Sequence, residues 1–307
     1  MQEPTAPEAG PQAIRLFSRL AEKTPPQVWF GVSAVFHYLG PAFAVLLFSH
    51  IGVLGVAWLR IASAALVFAP VTRPWRTFAR ADRDTRLLLF AMGACLAGMN
   101  CSFYLALERL PLSLVAAIEF VGTIGIALIG LRTGRNLAAL AMAVAGVFLL
   151  IDVRWAGDPV GLAFAVANGL LFVTYVVLGH RLAQRGAAGG IAGLGAAMAV
   201  AFVLVLPVGL GEAVAAFASP WLLGAAVGVG ICSSVIPYVC DQLAMARLPR
   251  ASFALMLSLL PLSATVLGIV VLAQVPTLRD LAGIALVVLG IAVHRQRQLP
   301  APACLPT

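Results

Sequence analysis

One stretch decides the fold class of this chain: residues 111–131 read PLSLVAAIEFVGTIGIALIGL. About 20 apolar residues in a helix cross the hydrocarbon core of a bilayer, so this run is long enough to span a membrane. It carries one ionisable side chain, Glu119, near its middle. An acid at that depth is costly unless it is paired or protonated, and it therefore indicates a functional site.

The composition extends this interpretation to the whole chain. Of the 307 residues, 62% are hydrophobic and 10% are charged, against roughly 45–50% and about 25% in soluble domains. The net charge of +8 does not indicate nucleic acid, because the basic residues lie in joints between apolar blocks rather than on one face. The sequence predicts an all-α polytopic membrane protein that is embedded in the lipid bilayer as its partner.

Ten apolar blocks are predicted to be transmembrane helices. They cover residues 28–48, 51–71, 87–107, 111–131, 137–151, 159–179, 191–210, 221–240, 249–273 and 278–293. With the N-terminus inside, 16 of the 20 Lys and Arg lie on the inner side, three lie outside and Arg60 lies within a span. Because cytoplasmic loops carry the basic excess, this distribution predicts that both termini are cytoplasmic. The first 27 residues lack the features of a signal peptide.

The two halves of the chain share a motif. ALERLP at 106–111 opens the fourth span, and AMARLP at 244–249 opens the ninth, five spans later. Because five is odd, the second copy enters the membrane upside down, and inverted repeats are typical of secondary transporters with a midplane site. We expect a tail at 1–27, five-helix repeats at 28–152 and 153–294, and a tail at 295–307.

Arg60 in the second span and Glu119 in the fourth are predicted to share a depth. Both spans run inward, and at ~1.5 Å per residue each residue lies ~12–14 Å below the outer surface. The two could pair and neutralise each other in an empty site. A buried pair that only locks two helices together is the alternative, although such pairs seldom add much stability.

Polar residues recur at helical spacing on three other spans. They are Asn100 and Tyr104, Asn168 and Tyr175, and Ser234, Tyr238 and Asp241, with Pro237 freeing a backbone carbonyl one turn earlier. Each stripe alone could serve only to hydrogen-bond neighbouring helices together, but three stripes predict a polar central cavity. Candidates for carrying protons are Glu119, Asp241 and His37, although a lone histidine is more often a core residue.

No catalytic pattern is present in the sequence. It has no phosphate loop, no HExxH, no GxSxG and no clustered metal ligands. We therefore expect no enzyme activity, no cofactor and no metal. A membrane-embedded enzyme acting on lipids is disfavoured because no nucleophile set converges, and a transporter-derived scaffold without transport remains a further alternative.

The run FYLALERLPL at 103–112, followed by AIEFVG at 117–122, resembles the EamA family of the drug/metabolite transporter superfamily. Within that family, the likeness is to bacterial threonine and homoserine exporters. It covers about residues 27–294, and Arg60 matches the arginine of the family's second helix. The chain departs from the family pattern at Thr123, where the family has proline, and at Leu260 and Gln274, where the family has acids.

The resemblance implies an inner-membrane exporter of small amino acids or related metabolites, which works by alternating access. Coupling to protons is a further expectation, from the ionisable side chains within the spans. A zwitterionic substrate would place its carboxylate on Arg60 and its ammonium on Glu119. Its side chain would be read by Asn100, Tyr104, Asn168, Tyr175 and Tyr238. An exporter of drugs or of another small metabolite is the alternative, and a homodimer stays open.

Overall fold

A computed structural model describes residues 24–130, 134–150, 158–185, 187–248, 253 and 259–293. Within these ranges every regular element is helical. The main helices are α1 (Pro26–Val45), α2 (Val53–Thr72), α3 (Arg83–Leu107), α4 (Leu112–Gly130), α5 (Gly134–Leu150), α6 (Pro159–Ala183), α7 (Ala187–Ala213), α8 (Pro220–Met245), α9 (Leu259–Leu272) and α10 (Leu278–Val293). Short helices at Phe48–Ile51 and Pro74–Arg80 join α1 to α2 and α2 to α3.

Six of these helices are long and apolar enough to cross a membrane: α1, α2, α3, α6, α7 and α8. Shorter apolar stretches occupy parts of α4, α5 and α9: Leu112–Val121, Leu137–Gly146 and Leu260–Leu272. The chain is therefore an all-helical polytopic membrane protein, as its composition predicted.

The predicted spans agree with the helices to within four residues at most ends. The main difference is α8, which continues to Met245 instead of ending at 240. No glycine or proline follows Cys240 until Pro249, so nothing in the chain stops the helix there. Residues 249–258 of the ninth predicted span lie outside the described residues, apart from Phe253, as do most of the two tails.

Local sequence signals explain where several helices begin. Pro159 and Pro220 occupy the first turns of α6 and α8, where a missing N–H costs nothing. The residues before them cap these helices: Asp158 accepts a hydrogen bond from the Gly161 N–H and Ser219 from the Leu222 N–H.

Helix packing follows a two-fold pattern. The α5 helix packs on α10, and α2 packs on α7. The α1 helix packs on α8 and α9 just as α6 packs on α3 and α4, and α2 packs on α8 just as α7 packs on α3. If each helix is replaced by the helix five places away in the order α1 to α10, the same set of packed helix pairs is obtained.

Close packing at the α5–α10 interface depends on glycine. A Cβ atom on Gly146 would lie 2.6 Å from the carbonyl oxygen of Gly283 and 2.7 Å from Cγ2 of Val287. Helices in lipid gain no hydrophobic energy by associating, so small residues that let backbones approach are a main source of contact energy.

We expect Gly146→Val to destabilise the protein by about 1–3 kcal/mol, because the added side chain overpacks a backbone-to-backbone contact. The measurement is the midpoint of thermal unfolding of purified protein in detergent. Gly31→Val is the matched control, since a Cβ atom on Gly31 of α1 meets nothing within 4 Å. Equal midpoints for the two variants would show that the α5–α10 contact is not close in solution.

Candidate functional site

Most of the predicted polar residues converge on one buried cavity. It is lined by His37, Pro41, Arg60, Met99, Asn100, Phe103, Glu119, Asn168 and Tyr238, contributed by α1, α2, α3, α4, α6 and α8. Its volume is about 10 Å³, room for about one water molecule. Six of the nine candidate residues from the sequence line this cavity.

Arg60 is the cation of the cavity, and it is 4% exposed. Its Nε donates a hydrogen bond to Ser234 Oγ at 2.7 Å, and its Nη2 donates to the Ser233 carbonyl at 2.6 Å. Its guanidinium carbon lies 5.4 Å from the ring centroid of Tyr104 on α3, within the range of a cation–π interaction. Arg60 thus joins α2 to α3 and α8 through neutral groups.

The acceptor for Arg60 exists because of the local sequence of α8. Pro237 has no N–H, so the carbonyl of Ser233, four residues earlier, lacks its usual helical partner. This confirms the prediction that Pro237 frees a carbonyl one turn earlier. The segment Ile231–Val235 forms a π-helical turn inside α8, a feature that is frequent at functional sites and that the sequence did not predict.

Glu119 is the acid of the cavity, and it is 2% exposed. Its Oε2 accepts a hydrogen bond from the hydroxyl of Tyr38 on α1 at 3.3 Å. The direct pairing of Arg60 with Glu119 that the sequence allowed is not formed, because Arg60 is held by Ser233 and Ser234 instead. The two opposite charges nevertheless line one low-dielectric space, where they act strongly on each other.

Several polar atoms around the cavity make no hydrogen bond of good geometry within the described residues, although each lies close to another polar group of the site. They are Oδ1 of Asn100, both amide atoms of Asn168, and the hydroxyls of Tyr104 and Tyr238. An unsatisfied buried polar group costs about 1–3 kcal/mol, so native proteins rarely keep several together without a purpose. Such a set indicates a place for a polar ligand or ordered water.

Asp241 and Tyr175 form a separate group. The Tyr175 hydroxyl donates to Oδ2 of Asp241 at 3.0 Å, and Ser33 Oγ on α1 donates to Oδ1 at 2.5 Å. Asp241 is 5% exposed, so it is a second acid buried within a helix, besides Glu119. The predicted eighth span ended at 240 and therefore left Asp241 just outside it.

Sequence reasoning gave no site role to Ser33, Tyr38 or Ser233. Their signals were weak: Tyr38 is adjacent to His37, and Ser233 is half of a serine pair ahead of Pro237. Tertiary contacts alone reveal that the hydroxyls of Ser33 and Tyr38 and the backbone carbonyl of Ser233 hold the charged residues. No group of three His, Cys, Asp or Glu that could bind a metal occurs among the described residues.

Two larger openings lie outside the cavity. One has a volume of about 380 Å³ and lies where the α3–α4 and α9–α10 connections meet; its polar lining is Glu108, Arg109, Ser113, Thr265, Gln274 and Asp280. The other is a largely apolar groove of about 680 Å³ between α1 and α8, lined by Phe43, Leu46, Leu47, Trp221, Leu222 and Val229. Gly40 lines the groove and Pro41 lines the cavity, so α1 separates these two spaces.

Known proteins resemble this chain in sequence and in fold. Residues 159–295 match the model of the EamA-like transporter family. The threonine/homoserine exporters RhtA of Salmonella typhimurium and Escherichia coli are each 31% identical over 242 residues, or 78% of this chain and 80% of theirs. A crystal structure of a protein that is 20% identical superposes with a TM-score of 0.56 and covers 86% of this chain and 94% of that one.

The solved structure supports the fold alone, whereas the sequence likeness runs through both halves of the chain. It includes the segment that carries Glu119 and most of the helices that line the cavity. With this identity over four fifths of the exporters' length, the chain belongs to the EamA-like transporter family of the drug/metabolite transporter superfamily and is a multi-pass membrane exporter.

Proposed function

We propose that this protein exports small zwitterionic amino acids of the threonine and homoserine type across the inner membrane. The observation that carries this proposal is the presence of Arg60 and Glu119 on one buried cavity, held apart by neutral partners. An amino acid carries the complementary pair of charges. The relatives that share 31% identity are named for exporting these two amino acids.

The hydrogen bonds leave each charged group with capacity for a substrate. A guanidinium has five N–H donors, and Arg60 uses one on Nε and one on Nη2. Its remaining donors suit a carboxylate, which arginine binds bidentately. Glu119 accepts its hydrogen bond from Tyr38 at Oε2, and the amide of Asn168 also lies beside its carboxylate. We propose that the substrate ammonium binds at Oε1. The Asn168 amide makes no hydrogen bond of good geometry among the described residues, so it can turn to the hydroxyl of a substrate side chain.

The two halves of the chain are proposed to act as inverted five-helix repeats, residues 28–152 and 153–294, that rock against each other. The two-fold packing pattern supports this. Arg60 and Glu119 belong to the first half and Asn168 and Tyr238 to the second, so the cavity lies between the halves, as transporter sites built from repeats do. The distribution of basic residues supports cytoplasmic termini.

The cavity of about 10 Å³ is too small for an amino acid, so transport requires it to open on each side in turn. In this orientation the opening of about 380 Å³ faces outward. It reaches Leu114, five residues from Glu119 on α4, which is about 7–8 Å along a helix. We assign this opening as the outer vestibule through which the substrate leaves.

One observation favours a second candidate, an exporter of amphipathic drugs. The apolar groove between α1 and α8 is larger than the polar cavity, and the second half has Leu260 where the family pattern has an acid. A drug exporter would bind aromatic cations in that groove and would not depend on Arg60. The experiments below therefore separate the two candidates.

The first test is efflux of labelled threonine, homoserine and a broad amino-acid mixture from cells that make the protein or its Glu119→Gln variant. We expect the variant to lower efflux at least about tenfold, because a hydrogen bond to a charged group contributes about 1.5–3 kcal/mol. Asp84→Asn, an exposed acid outside the site, is the control. If the wild-type protein moves no amino acid, the substrate assignment is wrong.

The second test is Arg60→Lys, which keeps the positive charge but removes the planar guanidinium group. We expect substrate affinity to fall at least about tenfold, because lysine cannot satisfy Ser233, Ser234 and a carboxylate together. Binding of labelled threonine to purified protein is the measurement, and Arg76→Lys at an exposed position is the control. If Arg60→Lys leaves both threonine binding and drug export unchanged, the second candidate is favoured.

The third test is Asn168→Leu, a change of similar volume at a buried amide that lies beside Glu119 but makes no hydrogen bond of good geometry within the described part of the chain. We expect the midpoint of thermal unfolding to stay constant or rise, because an unsatisfied polar group is removed, while threonine efflux falls at least about tenfold. A fall in thermal stability with unchanged efflux would instead mean that Asn168 only joins helices.

A further inference from the structure

We infer that Asp241, Ser33 and Tyr175 form a proton-binding site that is separate from the substrate cavity and lies on its cytoplasmic side. Asp241 is four residues from the end of α8 at Met245, next to the joint that carries Arg247. Glu119 is seven residues from the opposite, outer end of α4 at Leu112. Its placement on the cytoplasmic side and its link with transport rest on the proposed function, whereas the proton site itself does not.

The partners of Asp241 are all neutral. Ser33 of α1 donates to Oδ1 at 2.5 Å and Tyr175 of α6 to Oδ2 at 3.0 Å, and among the described residues no Lys, Arg or His lies within salt-bridge distance of it. The titratable groups that face Asp241 are Tyr175, Tyr238 and Cys240. The only ionisable residue of α7 is Glu212, at the far end of that helix. A buried acid without a cation is adapted to exchange a proton.

Ser33 has hydrogen-bond partners for both forms of Asp241. Its Oγ lies 2.5 Å from Asp241 Oδ1 and 3.3 Å from the carbonyl oxygen of Pro237, but a hydroxyl has one proton to donate. When Asp241 is ionised, Ser33 donates to Oδ1. When Asp241 is protonated, its own O–H donates to Ser33 Oγ, and the Ser33 proton turns to the Pro237 carbonyl. Every group keeps a partner in both states, and one proton enters from water.

This arrangement connects the proton site to the substrate cavity in two ways. The ring centroids of Tyr175 and Tyr238 lie 5.3 Å apart, and Tyr238 lines the cavity. In addition, Ser33 lies one helical turn before His37, which also lines the cavity, and α1 carries Tyr38, the donor to Glu119. A change in the hydrogen bond of Ser33 therefore acts on a helix that holds both sites.

Gln242 supplies a route for the proton toward the cytoplasm. It is fully buried, and neither atom of its side-chain amide has a hydrogen-bond partner among the described residues. It lies against Gly179 of α6 and Gly190 of α7, near the inner ends of both helices. Buried water commonly satisfies such an amide, and water beside Asp241 can carry a proton to the surface.

The test uses the full-length protein in vesicles and compares Asp241→Asn with wild type. We expect Asp241→Asn to exchange labelled for unlabelled threonine within about threefold of wild type, and to lose at least about tenfold of the threonine accumulation driven by a pH gradient. Asp84→Asn is the matched control, an exposed acid that should change neither rate. Accumulation unchanged in Asp241→Asn overturns the coupling role.

A second measurement does not need a substrate. Infrared spectra of the full-length protein across a pH titration should contain a protonated-carboxyl band that is missing in Asp241→Asn and present in Glu119→Gln. If Asp241→Asn does not fold, Tyr175→Phe and Ser33→Ala keep the acid and remove one donor each, and both should shift the midpoint of that band. An unshifted midpoint in both variants, or a band that survives in Asp241→Asn, overturns the proton site.

If wild-type protein moves no amino acid but the infrared band behaves as expected, the proposed function fails and the proton site stands. If threonine is exported and the infrared band does not depend on Asp241, the proposed function stands and the proton site is wrong.

Discussion

The burial of the Arg60 guanidinium is the constraint on which the rest of the structure depends. A charged group in the middle of a membrane protein is tolerated only when its donors are satisfied, and Arg60 finds its acceptors on another half of the chain, at Ser233 and Ser234. One of these acceptors exists because Pro237 cannot donate to it. A helix irregularity in α8 and a charge in α2 therefore stabilise each other.

This dependence explains why the π-helical turn, the small residues and the cavity occur together. A Cβ atom on Gly230 would lie 3.0 Å from the Arg60 carbonyl oxygen, and one on Gly40 would lie 2.8 Å from the Ser233 nitrogen. Both glycines allow α1 and α2 to approach the irregular part of α8. Without that approach, Arg60 could not reach its acceptors and the polar cavity would have no closed wall.

The two buried acids have different surroundings, and this difference suggests a division of roles. Glu119 shares a cavity with a cation and with unpartnered amides, as a site for a zwitterion requires. Asp241 is surrounded by hydroxyl donors that fit either of its protonation states. Both acids contact α1, through Tyr38 and Ser33, so this helix physically connects the two acids.

The sequence by itself determined the class of the molecule, the approximate positions of its helices and most residues of the cavity. Apolar runs of about 20 residues predict transmembrane helices. A polar side chain in such a run faces the protein interior, because its exposure to lipid is costly. Even the freed carbonyl before Pro237 could be predicted, because it follows from the covalent structure of proline.

Only the tertiary structure decided which polar residues meet. The partner of Arg60 could not be read from depth alone, because Glu119 and Ser234 both lie within reach of a buried arginine and packing selects between them. The burial of Asp241 and its contact with Ser33, 208 residues away in the chain, likewise arise from helices that pack across the two halves. Contacts of that sequence separation leave no local pattern.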